Sequence, residues 1–370
     1  MEKRSGDEAS PAFTTVLFLV LCVGLLCAAE CAKAPAMFIF GDSLCDNGNN
    51  NFIPSLARAN YFPYGIDSDF SIPTGRFSNG LTVPDYAAKY MGLQSPPPYL
   101  SLESNSIMLL SGANYASAAA GILDETGHQY GSRIPLREQV KLFDQTVKMQ
   151  LPVLIPDPEA LSHFINSSVF MINIGSNDYI NNYLRPDLYN SSATYSGTDF
   201  AKLLADELEH QIKIIYKAGA RKMLLAGIGP LGCIPDQLAR NNITSGCAEE
   251  ANELARQFNQ YLIQTIVRLN DTLPGSSFVY ENIYDRFYDI VQHPSKYGFL
   301  VSDEACCGHG RYGGQLTCMP FQPACDDRDH YLFWDSFHPT QALNAIISYQ
   351  CYNGTAGDCF PISGYQLAAM

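Results

Sequence analysis

Short apolar runs recur along the chain at Ala36–Phe40, Ile107–Tyr115, Val169–Ile174, Lys222–Gly227 and Ser277–Glu281. Val169–Ile174 reads VFMINI, almost unbroken in apolar character. A strand covered on both faces has that look, whereas a half-exposed strand alternates. Between the runs the period changes to that of a helix. Pro84–Met91 sets Tyr86, Ala87, Tyr90 and Met91 on one side, and Leu136–Met149 follows. Asp199–Ala218 is the clearest, with Phe200, Leu203, Leu204, Leu208, Ile212 and Ile215 at helical spacing and Gly219 as its stop. Ala248–Leu269 and Pro339–Tyr349 complete the set. Strands alternating with helices predict an α/β fold, a three-layer α/β/α sandwich around a parallel sheet of five strands. No repeat, linker or break in composition divides the chain, so residues 33–370 are expected to form a single domain. The segments 52–80, 178–198 and 296–332, rich in Gly, Pro and Tyr, are expected to be surface loops that shape a ligand site.

The N-terminus departs from this pattern. Lys3-Arg4 precede an apolar run from Val16 to Ala29, too short to cross a bilayer of ~30 Å as a helix. It fits a secretory signal over residues 1–29, cut somewhere between 27 and 32 beside small residues. The expected product is an extracellular protein, with the cell wall as one destination and no integral membrane segment once the signal has left. A net charge of −14 and a pI near 4.8 argue against nucleic acid and anionic membrane surfaces as partners.

Secretion changes the reading of the cysteines, because an oxidising compartment favours disulfides. Cys22, Cys27 and Cys31 leave with the signal. Cys233 is expected to pair with Cys247 and Cys351 with Cys359, while Cys306, Cys307, Cys318 and Cys325 pair among themselves in an order the sequence leaves open. Cys45 is left over as a buried thiol. Sequons at Asn166, Asn190, Asn242, Asn270 and Asn353 become candidate glycosylation sites.

The chemistry centres on FIFGDSLCDNGNNN, Phe38–Asn51. An apolar strand stops at Gly41-Asp42-Ser43, and the C-terminal strand ends of a parallel sheet face the ligand crevice. Ser43 is thus presented as a candidate nucleophile, with helix capping as its competing structural role. The asparagines that follow favour turn and left-handed conformations. A nucleophilic serine needs a base, and His338 lies in Trp334-Asp335-Ser336-Phe337-His338-Pro339, where Pro339 suits a first helical turn. Asp335, three residues upstream, can accept the Nδ1 proton and hold the imidazole in its working tautomer. An oxyanion needs donors. Asn177 follows the third strand, and the small-residue loop Asn114–Ile122 follows the second. The serine setting lacks the second glycine of a Gly-x-Ser-x-Gly elbow, which argues against an ordinary α/β-hydrolase.

Gly41-Asp42-Ser43-Leu44 near the expected mature N-terminus resembles the defining block of the GDSL esterase/lipases, or SGNH hydrolases. The segment Asn114–Ile122, Gly175-Ser-Asn-Asp178 and Asp335-x-x-His338-Pro are similar to the other blocks. Arg76-Phe-Ser-Asn-Gly80 and Gly229-Pro-Leu-Gly-Cys-x-Pro235 resemble the plant branch. The resemblance covers residues 35–350. It implies a flavodoxin-like sheet, a cofactor-free hydrolase with Ser43 as nucleophile, His338 as base and Asp335 orienting it. It also implies an oxyanion hole from the Ser43 N–H, a loop glycine N–H and the Asn177 amide. Many relatives carry a glycine where this chain has Ala118, so the loop donor is expected at Gly121 instead. Cys45 stands where relatives usually carry an aliphatic residue. Substrates would be esters or lipids, consistent with a role in lipid degradation. Tyr61, Phe62, Tyr64, Phe70 and Phe77 are candidates to line an acyl groove. An acyltransferase with the same triad, a silent secreted binding protein, and a metal-dependent phosphatase using Asp42 and Asp46 are the rival readings. The third lacks a histidine cluster to complete a metal site. Acyl length and oligomeric state are not legible.

Overall fold

Five strands form the frame: β1 (Met37–Gly41), β2 (Gly112–Asn114), β3 (Val169–Asn173), β4 (Lys222–Ala226) and β5 (Ser277–Glu281). The computed structural model describes residues 33–370 apart from 70, 355 and 356. The expected signal, its three cysteines and Phe70 therefore lie outside the described residues. All five strands run parallel, in the order β2-β1-β3-β4-β5. The register sets Met37 opposite both Gly112 and Val169, and Gly41 opposite Asn173. β1, β3 and β4 are buried at every position, the signature of a sheet sandwiched between helices.

Two further strands, β6 (Val301–Ala305) and β7 (Tyr331–Phe333), pair with each other outside the main sheet. A sixth strand, β8 (Cys359–Phe360), joins the main sheet antiparallel to β5.

One face carries α2 (Leu136–Gln145), α3 (Gly197–Lys217) and α4 (Glu249–Thr272); α1 (Val83–Tyr90) packs on α6 (Gln341–Asn353), with α5 (Ile283–Gln292) beside α6. Local chemistry sets the ends. Ser196 caps α3 by accepting from the Asp199 N–H, and Gly219 stops it at φ +113°. Thr82 and Asp85 form a reciprocal capping box at α1.

Three expectations are corrected. Ile107–Ser111 is a 3-10 turn, and only Gly112–Asn114 is strand. Ile107 and Met108 are exposed, so the apolar run there belongs to the surface. Gly112 takes φ +99° against the Met37 carbonyl, a close approach no side chain allows. α6 begins at Gln341, capped by Thr340, rather than at Pro339, because Pro339 bridges back to Phe333. Within 47–51 the positive φ belongs to Gly48 and not to the asparagines.

Among the described residues the pairs are Cys233–Cys247, Cys306–Cys325, Cys307–Cys318 and Cys351–Cys359, with Cys45 free and buried. The two middle pairs supply the connectivity the sequence left open.

Candidate active site

β1 ends with its backbone clamped. Gln139 on α2 accepts from the Gly41 N–H at 2.9 Å and donates to the Gly41 carbonyl at 2.8 Å. A Cβ on Gly41 would stand 2.4 Å from the Asn173 carbonyl, so β1 and β3 meet there without a side chain between them. Ser43 follows, half-buried, two residues past the strand.

The asparagine run is a buried set of stitches. Asn49 donates to the carbonyls of Asn114 and Ala116, both at 2.8 Å, and Asn50 donates to Ala57 and Ala118. Asp46 accepts from the N–H groups of Gly48, Asn49 and Ala118. These bonds tie the loop after β1 to the loop after β2. Asp46 is thereby engaged by backbone N–H groups, and among the described residues no cluster of His, Cys, Asp and Glu could hold a metal ion.

The imidazole arrives from the far end of the chain. Trp334–His338 is a tight loop closed by the Trp334 N–H on the His338 carbonyl at 2.8 Å. Asp335 shapes this loop by accepting from the N–H groups of Phe337 and His338 through Oδ1, both at 2.9 Å. Its two oxygens each lie 2.8 Å from His338 Nδ1, and His338 Nε2 lies 2.7 Å from Ser43 Oγ. The loop is braced from behind by the N–H groups of Cys306 and Cys307 on the carbonyls of Phe333 and Trp334.

Asp335 is fully buried, which works to raise its pKa. The His338 charge and hydrogen bonds from His338, Tyr64 and the Phe337 N–H prevail and hold it below the usual carboxylate range. Asp42 shows the opposite balance. Burial drives its pKa up to about 7, against the Leu44 N–H and the His338 charge, and its Oδ2 has no partner among the described residues.

Asn177 lies in the short helical turn Ser176–Asp178 after β3 and lines the same cleft. Its Oδ1 accepts from Asn181 at 2.6 Å, which fixes the amide so that Nδ2 faces the Ala120 carbonyl at 2.9 Å and keeps one N–H over. The structure does not bring Gly121 to the cleft; Ala118 and Ala119 line it instead. A Cβ at Gly121 would press on Asp178 and Thr126, so glycine there serves the packing of Asp178, whose carboxylate accepts from the Ile122 and Leu123 N–H groups. The Ala118 N–H is taken by Asp46. Ala119 adopts φ +64°, rare for a residue with a side chain, and among the described residues neither its N–H nor that of Ser43 has an internal acceptor.

Sequence reasoning missed the second partner of Asp335. Tyr64, expected as a groove aromatic, does line the cleft, and it is also almost wholly buried and donates its hydroxyl to Asp335 Oδ2 at 2.6 Å. Tyr61 and Phe77 line the cleft, with Phe77 against the His338 ring at 4.9 Å; Phe62 is exposed and outside it. The aromatic-rich composition of 61–77 is the only signal, and it does not distinguish a ring wall from a hydroxyl donor. Of the sequons, Asn190, Asn242 and Asn353 are exposed, and Asn166 is half-buried on a helix. Asn270 is half-buried, and its amide is engaged on both sides by the Phe278 backbone, at 2.8 and 2.9 Å.

The cleft is open to solvent, with a cavity volume of about 170 Å³. On one side it runs between β4, β5, α5 and α6 past Gly229, Leu231, Ile283, Phe287 and Ile347, an apolar limb. On the other it passes the Leu56–Arg58 segment and Tyr130. A serine hydroxyl, an imidazole, a buried carboxylate and free N–H groups meet around a largely apolar cleft, the groups that nucleophilic acyl transfer requires.

The GDSL-like Lipase/Acylhydrolase family model matches residues 37–350. GDSL esterase/lipase 7 of Arabidopsis thaliana is 55% identical over 91% of this chain and 93% of its own length. Two further Arabidopsis thaliana GDSL esterase/lipases are 46% and 44% identical over 92% of this chain, and the matches cover 89% and 90% of their lengths. The chain belongs to the GDSL-like lipase/acylhydrolase family and is, by that membership, a carboxylic ester hydrolase.

Proposed function

We propose that this protein is a secreted esterase or lipase that works through an acyl-enzyme on Ser43. The observation that carries the reading is the unbroken chain from Ser43 Oγ through His338 Nε2 and Nδ1 to the Asp335 carboxylate, with contacts of 2.7 and 2.8 Å. His338 takes the Ser43 proton as Oγ adds to the ester carbonyl. Asp335, kept ionised, stabilises the imidazolium that results. Negative charge on the carbonyl oxygen is received by the Ser43 N–H, the Asn177 amide and the Ala119 N–H, the last replacing the Gly121 donor expected from sequence. The tetrahedral species collapses, His338 returns the proton to the departing alcohol, and water repeats the sequence to release the acid. The apolar limb receives the acyl hydrocarbon.

Secretion is supported by the signal-like N-terminus and by the four disulfides among the described residues, since such bonds persist in oxidising compartments. Among the described residues no helix is long and apolar enough to cross a membrane. Exposed Asn190, Asn242 and Asn353 are the proposed glycan carriers. The test is Ser43→Ala: hydrolysis of 4-nitrophenyl butyrate should vanish while the thermal transition is kept. Turnover at the wild-type rate would refute the assignment.

A further inference from the structure

The limb of the cleft away from the apolar channel holds, among the described residues, one permanent cation, Arg58. Among the described residues it makes no ion pair. One Nη2 hydrogen bond goes to the Ile53 carbonyl at 2.5 Å, while the buried Nε–H has no acceptor. A guanidinium carries five N–H donors in a rigid fork and cannot shed its charge, so a buried N–H without an acceptor is a cost the fold bears. Some part-buried arginines in this chain meet carboxylates, while Arg133, Arg221 and Arg311 bond backbone carbonyls away from the cleft. Arg76 meets Asp85 through two bonds of 2.7 Å, and Arg328 meets Asp67 at 2.7 and 2.8 Å. Arg58 meets no carboxylate, keeps a buried Nε–H without an acceptor, and lies in the catalytic cleft.

Its placement is fixed. Leu56 donates its N–H to the Tyr130 carbonyl at 2.7 Å, and the Asn50 amide binds the Ala57 and Ala118 carbonyls together. Tyr130 in turn donates to Asn181, which holds Asn177. The cation is thus anchored to the same loops as the oxyanion donors. The sheet order puts β4 and β5, which found the apolar limb, on one side of β1 and β3, and the β2 edge on the other. A substrate with its acyl hydrocarbon in the apolar limb extends its alcohol portion toward Arg58.

We propose that the alcohol portion of the substrate bears an anion, a carboxylate or a phosphate, which pairs with Arg58. The inference rests on the ester-hydrolase reading above. The overall charge of −14 opposes an approaching anion, but that field is screened within about 10 Å, and the local cation acts at contact. Carboxylate and phosphate match the fork geometry of a guanidinium equally well.

The test compares kcat/KM in two pairs of esters sharing one acyl group. One pair is 4-nitrophenyl butyrate and the same ester with a ring carboxylate; the other is monobutyrylglycerol and its glycerol phosphate counterpart. Within each pair the anionic-to-neutral ratio is measured for wild type, Arg58→Gln and Arg58→Lys. The wild-type ratio should exceed that of R58Q by about tenfold in at least one pair, carried mainly by KM. R58K should retain part of the difference, and thermal denaturation verifies the fold of each variant. The pair that responds identifies the anion. Ratios equal in wild type and R58Q for both pairs would overturn the proposal. A wild-type enzyme idle on all four esters overturns the ester-hydrolase reading instead, and this inference with it.

Discussion

Replacing Asp335 by Asn is the sharpest perturbation of the proposed mechanism, because every acceptor position of that carboxylate is accounted for. Oδ1 takes the N–H groups of Phe337 and His338, Oδ2 takes the Tyr64 hydroxyl, and both stand 2.8 Å from His338 Nδ1. The oxygen of the substituted side-chain amide must stay on the Oδ1 side to satisfy the two backbone donors. Its NH2 then faces Nδ1 and Tyr64. The hydroxyl can turn to accept, but Nδ1 now receives a proton instead of giving one. The imidazole is locked with its hydrogen on Nε2, pointing at Ser43, and cannot take the serine proton. In the general serine triad this inversion lowers kcat by about 10⁴, or ~5.5 kcal/mol of barrier. The same loss is expected here, with KM for 4-nitrophenyl butyrate little changed and the thermal transition retained, since the loop bonds survive. Steady-state hydrolysis across neutral pH is the assay. A loss below about tenfold in a folded variant would show that Asp335 does not set the tautomer.

Tyr64→Phe removes one donor from Asp335 and leaves the rest, so kcat should fall about tenfold with KM unaffected; an unchanged kcat would make the hydroxyl purely structural. Glu281 at the end of β5 is fully buried, its Oε2 has no partner among the described residues, and burial raises its pKa from 4.5 to about 8. The unfolded chain ionises it first, so stability is lost as pH rises through that window, and Glu281→Gln should be more stable than wild type by urea titration at about pH 8, by on the order of 4 kcal/mol, with the advantage gone near pH 4. Removing Cys306–Cys325, which closes a separation of 19 residues, should cost about 3 kcal/mol on the chain-entropy account, read by chemical denaturation, and the assay should lose activity at elevated temperature first. Ile283→Trp fills the apolar limb and should shift preference toward shorter acyl chains in a panel of 4-nitrophenyl esters.

The sequence carried the sheet through composition: VFMIN and MFIFG are apolar runs of strand length bounded by polar residues and fold as covered strands, and their C-terminal ends fix where Ser43 and Asn177 emerge. Strand order did not follow from those runs, because a buried strand presents the same apolar residues to any neighbour. Ile107-Met-Leu-Leu misleads for a related reason, since apolar content alone does not distinguish a strand from a surface turn. Asp335 and His338 were legible because three residues of separation place both on one loop. Tyr64 was not, lying 271 residues from the carboxylate it holds. Gly121 misleads because a glycine near an expected anion site has two explanations, a donor exposed to ligand or room for a neighbour, and here the neighbour is Asp178. Arg58 gave no sign at all: its meaning lies in the carboxylate it does not meet.

The contact between His338 and Ser43 joins positions 295 residues apart, one just past the first strand and the other just before α6. That span orders events during synthesis. On the proposed mechanism, a nascent chain acquires its attacking alcohol almost at once and then carries it unarmed while strands, helices and most cysteines emerge. Truncation between Glu281 and Trp334 keeps all five parallel strands but removes the imidazole that would receive the proton. The topology therefore delays reactivity until translation is nearly finished.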